Sequence, residues 1–294
     1  MPASTEPAGT EHPLECCIAG SHLRIEGLPT AVRARMAELI RPFVMHDRAS
    51  TTEEPLARLR AVRRGRGDWI VRASGAANGV SLGDVDGNNM EGGGRIGHLL
   101  AALEWRAVGA ALAATARYAL IHAAALRRGA DTVLLLGKSG AGKTTLTLGL
   151  MGRGWEPFAD DVALVDAHSL EVRAFPRCFH VDAATMVALP RRPQLKWSGS
   201  LPGYYRPVHW AEGASRPTVI FLVSRDPERA TSRVPVSQAE TAGAMLAATI
   251  RNRLSSSELA HVTVLLAAQA RGCFELNSMS LTAALDSIEA AVGS

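Results

Sequence analysis

The stretch Thr132-Val-Leu-Leu-Leu136-Gly137-Lys138-Ser139-Gly140-Ala141-Gly142-Lys143-Thr144-Thr145 decides how the chain folds. Five residues with buried-strand character run into G-x-x-x-x-G-K-[ST], with every fixed position filled by Gly137, Gly142, Lys143 and Thr144. The pattern predicts a strand ending at Leu136, a tight loop, and a helix starting near Lys143. Glycines let such a loop turn its backbone N–H groups inward around phosphate oxygens, and the helix N-terminus adds a favourable dipole. Gly137, Lys138, Ser139, Gly140, Ala141, Gly142 and Thr145 would line the nucleotide phosphates. Lys143 would reach the β- and γ-phosphates, and Thr144 would hold Mg²⁺. The bland alternative is a chance Gly-rich turn, against which the flanking strand and helix both argue.

Downstream stands Phe158-Ala-Asp160-Asp161. Two carboxylates at a strand end are commonly just solvated. Here a helix over 143–153 rises roughly 16 Å, Gly154 turns the chain, and residues 155–160 return roughly 20 Å as a strand. Asp160 and Asp161 would then lie beside the phosphate loop, where acids handle metal and protons. Upstream, the runs 118–126 and 132–136 read as two strands around Arg127-Arg-Gly-Ala-Asp131. A hairpin centred on Gly129 sets His122 opposite Leu136, close to the start of the loop. A lone histidine in an apolar strand is equally read as a satisfied core residue, and both readings stay open.

Outward from this centre, strands are expected near 155–165, 170–181, 217–223 and 273–276, with helical periods near 237–253, 257–270 and 281–292. Alternating strands and helices predict an α/β core over 118–294. Before it, alternation from Leu14, a helical period through Val32, Met36, Leu39 and Ile40, a strand at 68–72 and an Ala-rich helix over 97–117 predict a smaller α+β domain over 14–117. Residues 1–13, rich in Pro, Ser, Thr and Glu, read as a mobile tail.

Together these residues resemble the catalytic domain of the HPr kinase/phosphorylase family, bacterial serine kinases whose fold is related to that of phosphoenolpyruvate carboxykinase. The resemblance runs from His122 through Gly137–Thr144 and Phe158–Asp161 to Leu170-Glu-Val-Arg173, which is similar to the family's Leu-Glu-Ile-Arg signature. It implies a P-loop kinase core using ATP and Mg²⁺. It also implies Asp160 as general base and acid, Asp161 at the metal, Glu171 as a Mg²⁺ ligand and His122 as an active-site companion. Ala-Phe-Pro-Arg177 replaces the family's Gly-rich continuation, and its Arg/Asn-rich phosphorolysis loop is not recognisable. Arg206 and Arg216 are the remaining candidates for substrate phosphate contacts. The resemblance therefore implies a divergent, kinase-only relative, such as those beside lasso-peptide pathways that phosphorylate a serine of a precursor peptide.

Composition is consistent with a packed protein: of 294 residues, 47% are hydrophobic and 20% charged, which excludes wholesale disorder. A net charge of +4 is too small to indicate a nucleic-acid partner. Cys16, Cys17, Cys178 and Cys273 form no C-x-x-C pair, so neither a zinc site nor a disulfide framework is expected, and reduced thiols suit a cytoplasmic protein. The most apolar helical stretch, between Arg106 and Arg117, holds ten residues, short of the ~20 that cross a bilayer. Asp84-x-Asp86-x-Asn88 begins like a calcium loop but fails at Asn89 and Arg95. The run Arg58, Arg60, Arg63, Arg64, Arg66 reads as a solvated face, with docking of an acidic peptide as the alternative. No transporter-type LSGGQ segment follows the loop. The expected function is ATP-dependent phosphorylation of a serine-type hydroxyl on a peptide or protein. A small-molecule kinase, a phosphoenolpyruvate carboxykinase-like enzyme and a non-catalytic nucleotide sensor remain alternatives.

Overall fold

The computed structural model describes residues 12–45, 54–64, 68–74, 85–86, 94–197 and 203–293. These divide into two compact units with the boundary between Thr115 and Ala116, two residues before the expected one. The expected tail lies outside the described residues except for His12 and Pro13, as do Asp84, Asn88 and Asn89 of the calcium-like segment.

In the first unit, β1 (Leu14–Ile18), β2 (Ser21–Glu26), α1 (Thr30–Leu39), β3 (Ala57–Arg64), β4 (Asp68–Ser74), β5 (Val85–Asp86) and α2 (Gly94–Ala114) follow in order. The strands form one sheet in the order β1-β2-β3-β4-β5. The basic run is largely β3: Ala57, Leu59 and Ala61 are buried, while Arg58 and Arg60 alternate with them and are exposed. α2 packs across β1–β4, and its Leu99, Leu100, Leu103 and Ala107 are buried. Its segment Ile96–Ala114 is long and apolar enough to cross a membrane, with 67% of the most apolar window buried. The ten-residue expectation stopped at Arg106; the helix tolerates Glu104 and Arg106 and extends back beyond them.

The second unit is mixed α/β. It comprises β6 (Tyr118–Ile121), β7 (Ala123–Arg128), β8 (Asp131–Leu136), α3 (Lys143–Met151), β9 (Glu156–Ala159), β10 (Ala163–Asp166), β11 (Val172–Arg173) and β12 (Phe179–His180). α4 (Ala183–Ala188), β13 (Leu195–Trp197), β14 (Tyr204–Pro207), β15 (Ala214–Ser215), β16 (Val219–Ser224) and β17 (Ser232–Pro235) follow. The chain closes with α5 (Gln238–Ala247), β18 (Thr249–Ile250), α6 (Ser256–Gln269), β19 (Gly272–Asn277) and α7 (Leu281–Val292).

The central sheet has the order β17-β19-β16-β8-β7-β9, with β19, β16 and β8 parallel. Both faces are covered, which is why β8 and β16 read as continuous apolar runs. Leu135, Phe221 and Leu276 pack against Leu146 and Leu150 of α3 and Leu285 and Ile288 of α7. On the opposite face Leu134, Leu136 and Ile220 meet Met245, Val262 and Leu266 of α5 and α6. They also meet Ile121 and Val165 of a second sheet, ordered β15-β11-β10-β6-β18. A third, three-stranded sheet is ordered β12-β14-β13.

Five sequence expectations change. The expected strand 170–181 is two short strands in different sheets, β11 and β12, and the helical period expected over 237–253 ends at Ala247, with strand β18 following. The run 118–126 is two strands in two sheets, broken at His122. The run 155–165 is likewise two strands, broken at Asp160-Asp161-Val162. The hairpin pairs Ala123, not His122, with Leu136, because a two-residue connection, Gly129-Ala130, puts its centre between residues.

Candidate functional site

β8 and β9 run in the same direction, with β7 antiparallel between them, so Leu136 and Ala159 end at one edge of the sheet. The Gly137–Thr144 loop leaves β8 there, and the acidic pair leaves β9 there. The loop's shape is set by backbone constraint. Gly140 and Gly142 hold φ values of +79° and +96°, which side-chain-bearing residues rarely adopt. A Cβ on Gly137 would stand 2.6 Å from the Val223 carbonyl oxygen, whereas one on Gly140 would meet nothing within 4 Å. The loop thus presses against β16 on one side and opens on the other. Ser278 Oγ, beyond β19, holds it in place, 3.3 Å from the Ala141 carbonyl and 3.1 Å from that of Ser224.

Lys143 is 7% exposed. Its ammonium donates to the carbonyls of Gly137 (2.6 Å) and Lys138 (3.2 Å) and lies 3.1 Å from His122 Nε2. Burial lowers its pKa, while the charges of Asp161 and Asp160 pull it back up. The other ring nitrogen of His122, Nδ1, lies 3.1 Å from Asp161 Oδ1 and 3.0 Å from the Asp161 carbonyl. His122 therefore sits between Lys143 and Asp161, with Nδ1–H donating to Asp161 and Nε2 accepting from Lys143. The strand break positions it: its backbone N–H bonds to the Ala248 carbonyl at 2.8 Å, ahead of the pairing of β7 with β8.

The two acids differ in environment. Asp160 Oδ2 accepts from Thr144 Oγ1 at 2.9 Å, and Oδ1 is buried. Burial pushes its carboxyl up to about 6, opposed by hydrogen bonding to the Thr144 and Thr147 side chains and by the Lys143 charge, and assisted by the Asp161 charge. The Asp161 side chain is 59% exposed. Hydrogen bonding to His122 holds it below the usual carboxylate range, with Arg177 adding charge from 3.8 Å. Thr144, Asp160 and Asp161 open into a cleft of about 280 Å³ lined also by Phe175, Arg177, Cys178, Phe179, His180 and Tyr204. Sequence reasoning assigned Arg177 no role; its only signal was its place in the segment that departs from the family pattern.

The remaining sequence candidates lie elsewhere. Glu171 bonds Ser169 Oγ at 3.0 Å, and its carbonyl accepts from Asp166 N–H. It is at the far end of β10, roughly 13 Å along the strand from the acidic pair, because β10 and β11 form a hairpin that turns away from the loop. Arg216 is beside it, donating to the Ser169 carbonyl at 2.9 Å. Neither joins the phosphate loop. Arg206 is half-buried on β14, opposite Lys196, two residues from cleft-lining Tyr204.

The residues present fit a nucleotide phosphate with Mg²⁺: an open-mouthed glycine loop, a buried lysine, a hydroxyl, and a buried carboxylate beside it. Among the described residues no three His, Cys, Asp or Glu side chains cluster to hold a metal by themselves. No protein-family model matches the chain, and no curated protein matches it.

Proposed function

We propose that this chain is an ATP-dependent kinase that transfers a γ-phosphoryl group to a serine-type hydroxyl of a peptide or protein. We read the second unit as a divergent P-loop kinase core of the HPr kinase type, acting in the cytoplasm. The observation that carries the proposal is Asp160: a buried carboxylate held by Thr144 that lines a cleft beside the Gly137–Thr144 loop.

The Gly137–Gly142 backbone and Lys143 would bind the triphosphate, with Lys143 exchanging its carbonyl contacts for phosphate oxygens. Thr144, with Asp161 beside it in the cleft, would hold Mg²⁺, which neutralises charge on the transferring group when bound. Asp160, with a pKa near 6, is ionised at neutral pH and basic enough to take the acceptor hydroxyl's proton. The hydroxyl oxygen then forms its bond to the γ-phosphorus as the bond to the β–γ bridging oxygen breaks. ADP leaves, and the proton passes from Asp160 to solvent. His122 would keep Asp161 and Lys143 at fixed separation, and Arg177 would hold Asp161 out of the base's role.

Incubation with labelled ATP and serine peptides, read by mass spectrometry, tests the reading. Asp160→Asn should retain Mg·ATP binding within about threefold and lose roughly 10²–10⁴ in transfer. Equal transfer by the variant would remove Asp160 as base. Nucleotide-driven conformational change without transfer to any acceptor would favour a sensor.

A further inference from the structure

Arg177 lines the cleft into which Thr144 and Asp160 open. Its side chain is 23% exposed, and Nη1 stands 3.8 Å from Asp161 Oδ2, a charge contact too long for a hydrogen bond. The backbone around it is clamped on both sides. Two residues before it, buried Phe175 donates its N–H to the Phe158 carbonyl at 2.7 Å, on the strand that leads into the acidic pair. The Arg177 N–H in turn donates to the Phe175 carbonyl at 2.8 Å. Two residues after it, Phe179 is buried against Leu148, one turn along α3 from Thr144. Arg177 is thereby tied to β9 and α3, the two elements that carry the acids and the hydroxyl.

The charges around the cleft are uneven. Lys143 serves from the loop side, where its ammonium donates to the Gly137 and Lys138 carbonyls. The cleft itself presents two carboxylates, Asp160 and Asp161. A phosphoryl group in transfer would bring three charge-bearing oxygens toward them. Among the described residues that line the cleft, Arg177 alone carries a permanent positive charge. Its guanidinium presents N–H donors in a planar fork that matches phosphate oxygens in pairs, which neither a lysine nor a histidine can do.

We propose that the Arg177 guanidinium binds the transferring phosphoryl group from the cleft side, more strongly in the transition state than in the ground state. This rests on the kinase reading above. No bond to Arg177 forms or breaks. The acceptor oxygen joins phosphorus, its proton goes to Asp160, and the bridging oxygen leaves with ADP. Arg177 offsets the repulsion between the phosphoryl oxygens and the two cleft carboxylates while this happens, and it is held ready for that role before substrate arrives.

The test uses the full chain and Mg·ADP with aluminium fluoride, which mimics the transferring phosphoryl group and needs no acceptor. In the parent, calorimetry should show aluminium fluoride tightening ADP binding about tenfold or more. Arg177→Gln should bind Mg·ADP within about threefold of the parent yet lose that tightening. With Mg·ATP and a serine peptide that the parent phosphorylates, Arg177→Gln should lower kcat roughly 10³-fold, with the KM for ATP within about threefold. Guanidinium ion added to Arg177→Ala should restore about tenfold of the lost rate, which a merely structural role would not show. Should Arg177→Gln melt early, Arg177→Lys, which keeps the charge without the planar fork, carries the same comparison. Tightening retained in the variant, or a kcat within about threefold of the parent, would overturn the proposal and leave the kinase reading intact. So would a variant that loses Mg·ADP affinity as far as it loses rate. A parent that binds Mg·ADP but transfers phosphate to no acceptor would remove the kinase reading and this proposal together.

Discussion

Asp160 is a buried carboxylate with one oxygen tied to Thr144, and that burial has a stability consequence. Its folded-state pKa is raised from 3.8 to about 6. Between those values the folded protein binds the proton more tightly than the unfolded chain, so this group's contribution falls as pH rises through the window. Above pH 6 the ionised carboxylate lowers stability by about 3 kcal/mol. Asp160→Asn keeps an oxygen for Thr144 and never ionises. It should therefore raise Tm at pH 7.5, with the gain shrinking toward pH 4 and vanishing below it. A pH series of melting curves on both proteins checks this, and a variant less stable at pH 7.5 would contradict the burial argument. Lys143 yields a second expectation. Its three contacts are internal, so Lys143→Ala should fold yet weaken Mg·ATP binding at least tenfold by calorimetry.

At the scale of elements, the end of β19 organises the site's far wall. Asn277 is 1% exposed. Its Nδ2 donates to the carbonyls of Asp226 (3.2 Å), Arg229 (2.8 Å) and Ala230 (3.0 Å), and its Oδ1 accepts from Asp226 N–H at 2.8 Å. One side chain thus fixes the loop that follows β16, on the same sheet edge as the phosphate loop. Asn277→Ala strands four backbone groups and should cost on the order of 2–4 kcal/mol. Hydrogen exchange should show protection lost over residues 225–230 before anywhere else in the unit. A uniform loss across the central sheet would mean the loop is not an independent element. The first unit's β3 teaches a different lesson. Ala57-Arg-Leu-Arg-Ala61 alternates with period two, as a strand does, and Arg58 and Arg60, expected on a solvated face, are the exposed half of that alternation.

Across the whole molecule, every residue of the phosphate loop, the acidic pair and the cleft belongs to the second unit, and its apolar clusters draw on that unit alone. A fragment spanning 116–294 should therefore fold cooperatively and bind Mg·ATP within about threefold of the full chain. Circular dichroism melting and calorimetry measure both. A fragment that is molten or binds nothing would show that the first unit completes the fold.

By itself the sequence determined the α/β class of the second unit, the glycine-rich loop between a strand and a helix, and the return of an acidic pair to that loop. Each is a local matter of apolar period, glycine freedom and chain length. It did not determine that the strand runs at His122 and at Asp160-Asp161 break and change sheets at one place. Continuous apolar runs carry no mark of which sheet each half joins, and only the packing of two sheets face to face settles it. Nor could spacing put Glu171 and Arg216 at the far end of β10 and Arg177 beside Asp161. Those positions follow from the direction in which the β10–β11 hairpin turns, which non-local pairing alone decides.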